Sequence, residues 1–462
     1  MNEIKLVVLG GGPGGYAAAF LAADRGMDVT LIDDGNKPGG VCLHRGCIPS
    51  KALLHIAHLI NDTREAKAWG VDFGDPKLDL DGIRKWKNQI INKMAMGLTQ
   101  LCKQRKVKFV SGKGVFKSSN TVEVDGKTYS FDHCILATGS RPTQPFQNNS
   151  NFVDSTRALE IENIPNRLLV IGGGYIGLEM GSVYAALGSQ VTVTEMMDGL
   201  LPGVDRDLVR PLQNKIKNQF EAILLNTRMA DMKEKGSQIE VALESQNGTE
   251  QKVFDQALVA IGRKPNTENL GLENTKIKLD ENGFVMADSQ QKTADPSISA
   301  IGDVIGGAML AHKASNEAKV AVEVIAGEVA DFKDRVIPAV VFTDPEIAWA
   351  GLTETEAQNQ DRNVSIAKFP WGASGRAQTL GRGEGLTKLI IDTDSEKIVG
   401  VGITGTGAGE LIAEGVLAIE TGAKAKDLAL SIHPHPTLSE TMMEAAEVFY
   451  GEATHILKRK RI

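Results

Sequence analysis

The sequence predicts an α/β chain made of two similar parallel-sheet units followed by an α+β region, and three observations predict it. An apolar strand running into a glycine turn, a helix and a second strand ending in an acid occurs twice at one constant offset. After Pro338 this alternation gives way to strands in succession and then helices. The chain has 462 residues, 42% hydrophobic and 24% charged, which is enough for three or four domains with several cores.

The first strand is Ile4-Lys5-Leu6-Val7-Val8-Leu9. Gly10-Gly11-Gly12-Pro13-Gly14-Gly15 closes it and opens a helix expected from Tyr16 to Arg25, and a strand from Asp28 to Ile32 then ends at Asp33. The second set is Leu168-Leu169-Val170-Ile171, then Gly172-Gly173-Gly174-Tyr175-Ile176-Gly177, then a strand from Gln190 to Thr194 ending at Glu195. The offsets 172−10, 174−12, 177−15 and 195−33 all equal 162. One glycine motif is weak evidence, but two in register with strand, helix and terminal acid predict two Rossmann-like dinucleotide-binding domains. Gly10, Gly12 and Gly15 in one, and Gly172, Gly174 and Gly177 in the other, let backbone approach a pyrophosphate at a helix N-terminus. Asp33 and Glu195 can each accept a bond from a ribose 2′-hydroxyl.

Between the two units lies Gly39-Gly40-Val41-Cys42-Leu43-His44-Arg45-Gly46-Cys47-Ile48-Pro49-Ser50-Lys51. Four residues separate the cysteines, which is neither a thioredoxin-like spacing nor a structural zinc site, since only His44 is a spare ligand; no metal is expected. Two unrelated core thiols are the plain alternative, because free cysteine often packs as a small hydrophobe. The preceding glycine turn and the helical opening after Cys47 favour a dithiol that exchanges electrons with a bound flavin. Cys47 sits where peptide dipoles favour thiolate and is expected to face the flavin, with His44 and Arg45 adding modestly to thiolate character. Cys102 and Cys134 are expected in cores, without chemistry.

Each unit ends on an apolar strand running into a Gly/Pro turn, Ile135 to Pro142 through Gly139 and Leu258 to Asn266 through Gly262, and these are expected domain crossings. Ile298-Ser299-Ala300-Ile301-Gly302-Asp303 is either an ordinary strand exit or a place where a carboxylate reaches a ribityl hydroxyl. Beyond Pro338, strands are expected at 339–343, 386–391 and 398–403 and helices from Glu410 and from Ser439.

The formal charge of −7 gives no electrostatic footprint for nucleic acid, and the basic run Lys458-Arg459-Lys460-Arg461 reads as a solvated tail. No apolar stretch approaches the ~18 residues that span a bilayer. The first strand begins almost at Met1, leaving no room for a signal peptide, and four cysteines fit a reducing compartment, so the expected location is the cytoplasm.

Three motifs spread over the chain are specific together: the dithiol segment, Gly302-Asp303, and His433-x-His435-Pro436-Thr437-Leu438-Ser439-Glu440. On them the chain resembles the pyridine nucleotide–disulfide oxidoreductases, and within that family the branch that oxidises dihydrolipoamide for 2-oxo acid dehydrogenase complexes. The resemblance implies an FAD-binding domain over 1–143, an NAD-binding domain over 144–270, a central domain completing the FAD site over 271–336 and an α+β dimer-interface domain over 337–462. It implies FAD and NAD as cofactors, a homodimer, and lipoyl domains and a subunit-binding domain as partners. Carried over residue by residue, Cys42 exchanges with the substrate thiol and Cys47 lies against the flavin. Lys51 lies by the flavin and pairs with Glu179. Asp303 binds the ribityl chain and Asp33 the adenosine ribose, and Gly139 and Gly262 line the cofactor crossings. His435 is the acid/base and Glu440 its orienting partner, both reaching into the other subunit. From the residues alone His433 is a second candidate base.

Against the family pattern, Val41 replaces a usual threonine, Asp33 a glutamate and Pro434 an alanine, none of them a reacting group. The alternatives are a glutathione reductase-like enzyme using NAD(P)H and a non-catalytic FAD- and NAD-binding redox sensor. Glu195-Met196-Met197 argues against the first, since a 2′-phosphate site calls for arginine. The intact Cys42, Cys47, His435 and Glu440 set argues against the second.

Overall fold

The computed structural model describes residues 4–146 and 149–457, so the basic run 458–461 lies outside the described residues. The first glycine turn belongs to a five-stranded sheet in the order Ile298–Ala300, His133–Leu136, Lys5–Leu9, Asp28–Asp33, Lys108–Ser111, parallel throughout. Its central strands are buried on both faces, which is why they read as continuous apolar runs. The edge strand comes from far along the chain, and the helix Ala311–Ile325 that follows it packs on the first helix through Ala18, Ala19, Ala22, Ala318 and Ala321. Small side chains there let the two helices approach closely and bring Gly302-Asp303 back to the first glycine turn.

The second sheet repeats the pattern in the order Ala222–Leu224, Gln190–Thr194, Arg167–Ile171, Gln256–Val259, Phe152–Val153, again all parallel. The third is antiparallel, in the order Ala339–Val341, Glu346–Gly351, Ile398–Gly405, Leu386–Asp392, Val364–Pro370. The helices Ala408–Glu420 and Glu440–Tyr450 pack their apolar faces on it.

Some boundaries differ from expectation. The helix expected from Tyr16 begins instead at Pro13, because proline's fixed φ suits the first helical position and its missing N–H costs nothing there. The helix expected from Glu410 begins at Ala408. Two three-stranded antiparallel sheets, over 115–130 and 228–254, had no counterpart in the expected pattern. Much of the second is charged and exposed, as in Arg228–Lys235, so it lacks the apolar alternation of a half-buried strand.

Two devices join the units. The helix Cys47–Glu65 buries Leu53, Leu54, Ala57 and Ile60 in one cluster with Leu178 and Val183 of the second unit. Burying each such leucine or isoleucine contributes about 1.5–3 kcal/mol, so the dithiol helix is bolted to the second nucleotide unit. The other device is ionic. Lys388 of the third sheet is fully buried, and its Nζ donates to Asp205 at 2.6 Å, Asp207 at 2.7 Å and Glu354 at 3.3 Å. Such a buried cation is tolerable only when matched by charge and hydrogen bonds. Among the described residues no helix is long and apolar enough to cross a membrane.

Candidate active site

The glycines of each turn divide into three physical roles. Gly10 and Gly172 take φ of +111° and +108°, and a Cβ there would lie 2.2 Å from Ala137 O or 2.4 Å from Ala260 O. At Gly15 and Gly177 a Cβ would meet the carbonyl of Gly10 or Gly172 at 1.7 or 2.1 Å, so helix and strand touch only without side chains. Gly12 and Gly174 are different. Both cap a helix in extended conformation, φ −71° and −78°, and a Cβ would find Gly40 Cα at 4.0 Å in one case and nothing within 4 Å in the other. Neither conformation nor packing in the chain requires glycine there. Open space before unpaired helix N–H groups is what a pyrophosphate needs, so the residues present fit FAD at the first turn and NAD at the second. Gly139 and Gly262 also adjoin open space.

Asp33 Oδ2 accepts from Gly11 N at 2.5 Å and Oδ1 from Gly35 N at 2.8 Å; Glu195 does the same with Gly173 N at 2.7 Å and Met197 N at 2.9 Å. Both acids therefore brace their own glycine turns. Each carboxylate oxygen has a further lone pair for a ribose hydroxyl. Burial pushes Asp33 up despite the two amides.

The dithiol segment is hooked onto the first turn by its own glycines. Gly39 N donates to Gly11 O at 2.7 Å, and Gly40, at φ +58°, brings its Cβ direction within 2.5 Å of Gly12 Cα. Cys42 lies in the short helix Gly40–Arg45, and Cys47 is the first residue of the helix Cys47–Glu65. The two sulfurs are hydrogen-bond neighbours and the pair is asymmetric. The bond from Cys42 and the Lys51 charge hold Cys47 down at about 7, against burial and Glu179, while the same bond and burial push Cys42 well up. Cys47 is thus the more readily ionised of the two. The cation that acts on it is Lys51, one turn on; His44 turns away to Pro38 O at 3.2 Å, so the contribution expected of His44 is replaced by that of Lys51.

Lys51 Nζ donates to Glu179 at 2.9 and 3.2 Å, and stands 4.3 Å over the Phe342 ring. Glu179, 3% exposed, also accepts from Phe342 N at 3.0 Å, so one carboxylate gathers the first unit, the second and the third sheet. Asp303 is positioned by Ser140 Oγ at 2.5 Å, which in turn accepts from Arg263 Nε at 2.7 Å. Beneath it Gly302 N donates to buried Glu317 at 2.8 Å, and Lys313 pairs with Glu317 at 2.6 Å. These supports were not foreseen, because the partners are up to 163 residues apart and no spacing rule links them. Tyr16 is raised by burial and then by the charges of Cys42 and Cys47, and Tyr175 by burial, with Glu179, Asp303 and Cys47 adding to it.

In the C-terminal unit His435 Nδ1 lies 2.8 Å from Glu440 Oε1, while Glu440 Oε2 accepts from Thr437 N at 2.7 Å. Burial would raise Glu440, but Thr437, His435 and His455 outweigh it and hold it below the usual carboxylate range. The His435 side chain is 73% exposed, so the ring is oriented at Nδ1 and presents Nε2 for proton exchange. His433 is engaged at both nitrogens, with Ser431 O at 2.9 Å and Glu414 at 2.8 Å, and is not placed as a base. Among the described residues no hydrogen bond or ion pair joins His435 to the dithiol of its own chain. Cys102 and Cys134 are buried in the first unit's cores.

Residues 4–318 match the pyridine nucleotide-disulphide oxidoreductase family, and residues 337–446 match the dimerisation domain of that family. A protein of Vibrio cholerae serotype O1 named dihydrolipoyl dehydrogenase is 46% identical over 469 aligned residues, covering 99% of this chain and 98% of its own. The solved structure of LpdA from Mycobacterium tuberculosis superposes with a TM-score of 0.88 at 26% identity, over 96% of this chain and 99% of that one. The HOCl-induced flavoprotein disulfide reductase RclA from Escherichia coli superposes with a TM-score of 0.85 at 26% identity, over 95% and 98%.

Proposed function

This chain belongs to the pyridine nucleotide-disulphide oxidoreductase family, whose enzymes work with FAD and NAD(H), and from that membership we propose that it oxidises dihydrolipoamide to lipoamide while NAD⁺ becomes NADH. The observation that carries the reading is the Cys42–Cys47 pair hooked through Gly39 and Gly40 to a glycine turn that fits FAD, with Lys51 one turn beyond Cys47 and held to Glu179 at 2.9 Å.

In the cycle, His435 Nε2 takes a proton from one substrate thiol. The thiolate attacks Cys42 Sγ of the Cys42–Cys47 disulfide, the S–S bond breaks, and Cys47 departs as a thiolate next to Lys51. The second substrate thiol attacks the substrate sulfur bonded to Cys42, closing the ring of lipoamide; Cys42 leaves with the proton His435 took from the first thiol, and His435 takes the proton that the second thiol gives up. Substrate loses two electrons and the disulfide gains them. FAD, which the Gly10–Gly15 turn, Asp33 and Asp303 would hold, would supply the two-electron chemistry that links the dithiol to NAD⁺ at the second turn. The low Cys47 and high Cys42 fit the division of labour: the better leaving group is the one by Lys51, and the sulfur left protonated is the one facing substrate.

The dimerisation domain makes the chain a homodimer, and the reading extends to a shared site in which His435 and Glu440 serve the dithiol of the partner subunit. It also assigns the four-part division at 143, 270 and 336, a cytoplasmic location, and lipoyl and subunit-binding domains of a 2-oxo acid dehydrogenase complex as partners. The test is turnover of dihydrolipoamide with NAD⁺ by the purified holoprotein, beside Cys42→Ser and Cys47→Ser. The wild type is expected to make NADH and both variants to lose it with FAD retained. Preferential reduction of glutathione disulfide by NADPH would overturn the substrate, and undiminished turnover by either variant would overturn the dithiol.

A further inference from the structure

The helix Glu440–Tyr450 carries Glu440, Glu444 and Glu447 at i, i+4 and i+7, so three carboxylates line one face. Like charges at that spacing repel, and Glu444 is only 3% exposed, which makes an unmatched anion there costly. The chain itself supplies the match. Gly451, at φ +74°, ends the helix in the left-handed region, and the turn that follows returns His455 to the stripe, where Nδ1 bonds Glu444 Oε1. Glu444 Oε2 is buried and has no hydrogen-bond partner among the described residues.

We infer that His455 is a positioning residue for the acid/base pair: bonded to Glu444 one turn beyond Glu440, it leaves no net charge beside the pair and so sets the pH at which His435 works. The inference rests on the role proposed for His435. Two further observations support it. His455 is pushed up by Glu444 first, with Glu440 and Glu447 adding, so it carries its charge where a free histidine would be losing it. It is also one of the groups that hold Glu440 down. Among the described residues the other charges near the stripe are Glu452, beside Glu447, and Glu396 and Asp427, beside Tyr450. On the elements packed against this helix, Lys426 lies over Tyr450, Lys368 and Lys388 are committed to Asp207, Glu354 and Asp205, and Glu414 is committed to His433.

The test is the pH dependence of kcat/KM for dihydrolipoamide in the holoenzyme, for the wild type, His455→Gln, Glu444→Gln and the double variant. Losing His455 leaves a buried anion uncompensated, which favours the protonated form of the neighbouring imidazole, so the acid limb moves to higher pH. Losing Glu444 removes the anion and leaves unopposed whatever charge His455 keeps, so the limb moves to lower pH. One charge about 10 Å away in a half-solvated setting corresponds to about half a pH unit in each direction. The double variant, neutral at both positions, is expected back near the wild type. Opposed single shifts that cancel cannot come from lost packing; shifts in one direction, or none, would overturn the inference. Proton NMR of labelled His455 in the holoenzyme gives a second reading, expected to titrate above the ordinary value of about 6.5 and to fall in Glu444→Gln. A wild-type midpoint at or below that value would also overturn it. His435→Gln is assayed alongside: full activity there would defeat the role proposed for His435, whereas an inactive His435→Gln with immobile limbs defeats only the role given to His455.

Discussion

Replacing Lys51 by methionine tests whether a single cation sets the reactivity of Cys47. Lys51 is four residues beyond Cys47 in the same helix, which puts the two side chains on one face. Its side chain is 34% exposed, so its charge is partly screened. At a separation of about 6 Å and an effective dielectric of about 40, between the values for a protein surface and for water, the charge stabilises the thiolate by about 1.4 kcal/mol, or about one pKa unit. Cys47, at about 7 in the native chain, is therefore expected near about 8 in Lys51→Met. The thiolate fraction at pH 7 falls from about one half to about one tenth. In the two-electron-reduced holoprotein, alkylation of Cys47 by iodoacetamide, resolved from Cys42 by peptide mass spectrometry, is expected to slow about fivefold at pH 7 and to converge with the wild type above pH 9 or so. Glu179→Gln removes the anion that opposes Lys51 and is expected to move the midpoint the other way. A midpoint that stays at about 7 in Lys51→Met would mean that the Cys42 bond and the helix terminus lower the thiol unaided.

The two glycines of the second turn separate folding from nucleotide binding: Gly172→Ala is expected to lower the melting temperature, since its φ is +108° and a carbonyl stands 2.4 Å from the added carbon, whereas Gly174→Ala is expected to melt within a few degrees of wild type but to raise KM for NADH about tenfold or more. Equal melting losses in both would remove the evidence that Gly174 is kept open for a ligand. NADH is expected to be preferred over NADPH by more than about a hundredfold, because the Glu195 carboxylate about 5 Å from a phosphate charge costs on the order of 3 kcal/mol at an effective dielectric near 20; comparable kcat/KM values at low salt would contradict this. His433→Gln is expected to keep kcat within about threefold while His435→Gln loses about a hundredfold or more. Mixed dimers of Cys42→Ala and His435→Ala chains, half the population at equal amounts, each hold one intact site of two, so about a quarter of wild-type activity is expected to return. No recovery after verified exchange would put the histidine on its own chain's dithiol.

The parallel sheets and the dithiol could be read from the chain because their determinants are local. A glycine that must turn, a glycine that must pack and a glycine that must stay open fall at fixed spacings, and Cys47 and Lys51 share a helical face by number alone. The supports of the site could not be read that way. Arg263, Ser140 and Asp303 meet only after 123 and 163 residues of intervening chain have folded. His433 and His435 look alike in sequence, and what separates them is Glu414, 19 residues back on another helix. The contribution expected of His44 failed for a related reason: proximity in sequence to both cysteines does not fix where a ring points inside a short helix.

The Lys388 cluster has a consequence for anyone wishing to exchange cofactor modules. Its cation comes from the C-terminal sheet and two of its anions, Asp205 and Asp207, from the second nucleotide unit. A chimaera that imports a foreign nucleotide unit without acids at those positions would strand a desolvated ammonium at the seam, a defect of about 3–5 kcal/mol for such buried pairs. Cofactor preference can be rewritten at Glu195 in place, since its carboxylate bonds Gly173 N and Met197 N of its own unit. Grafting boundaries should be drawn by charge balance, carrying both aspartates with the donor, rather than by where the glycine motifs begin and end.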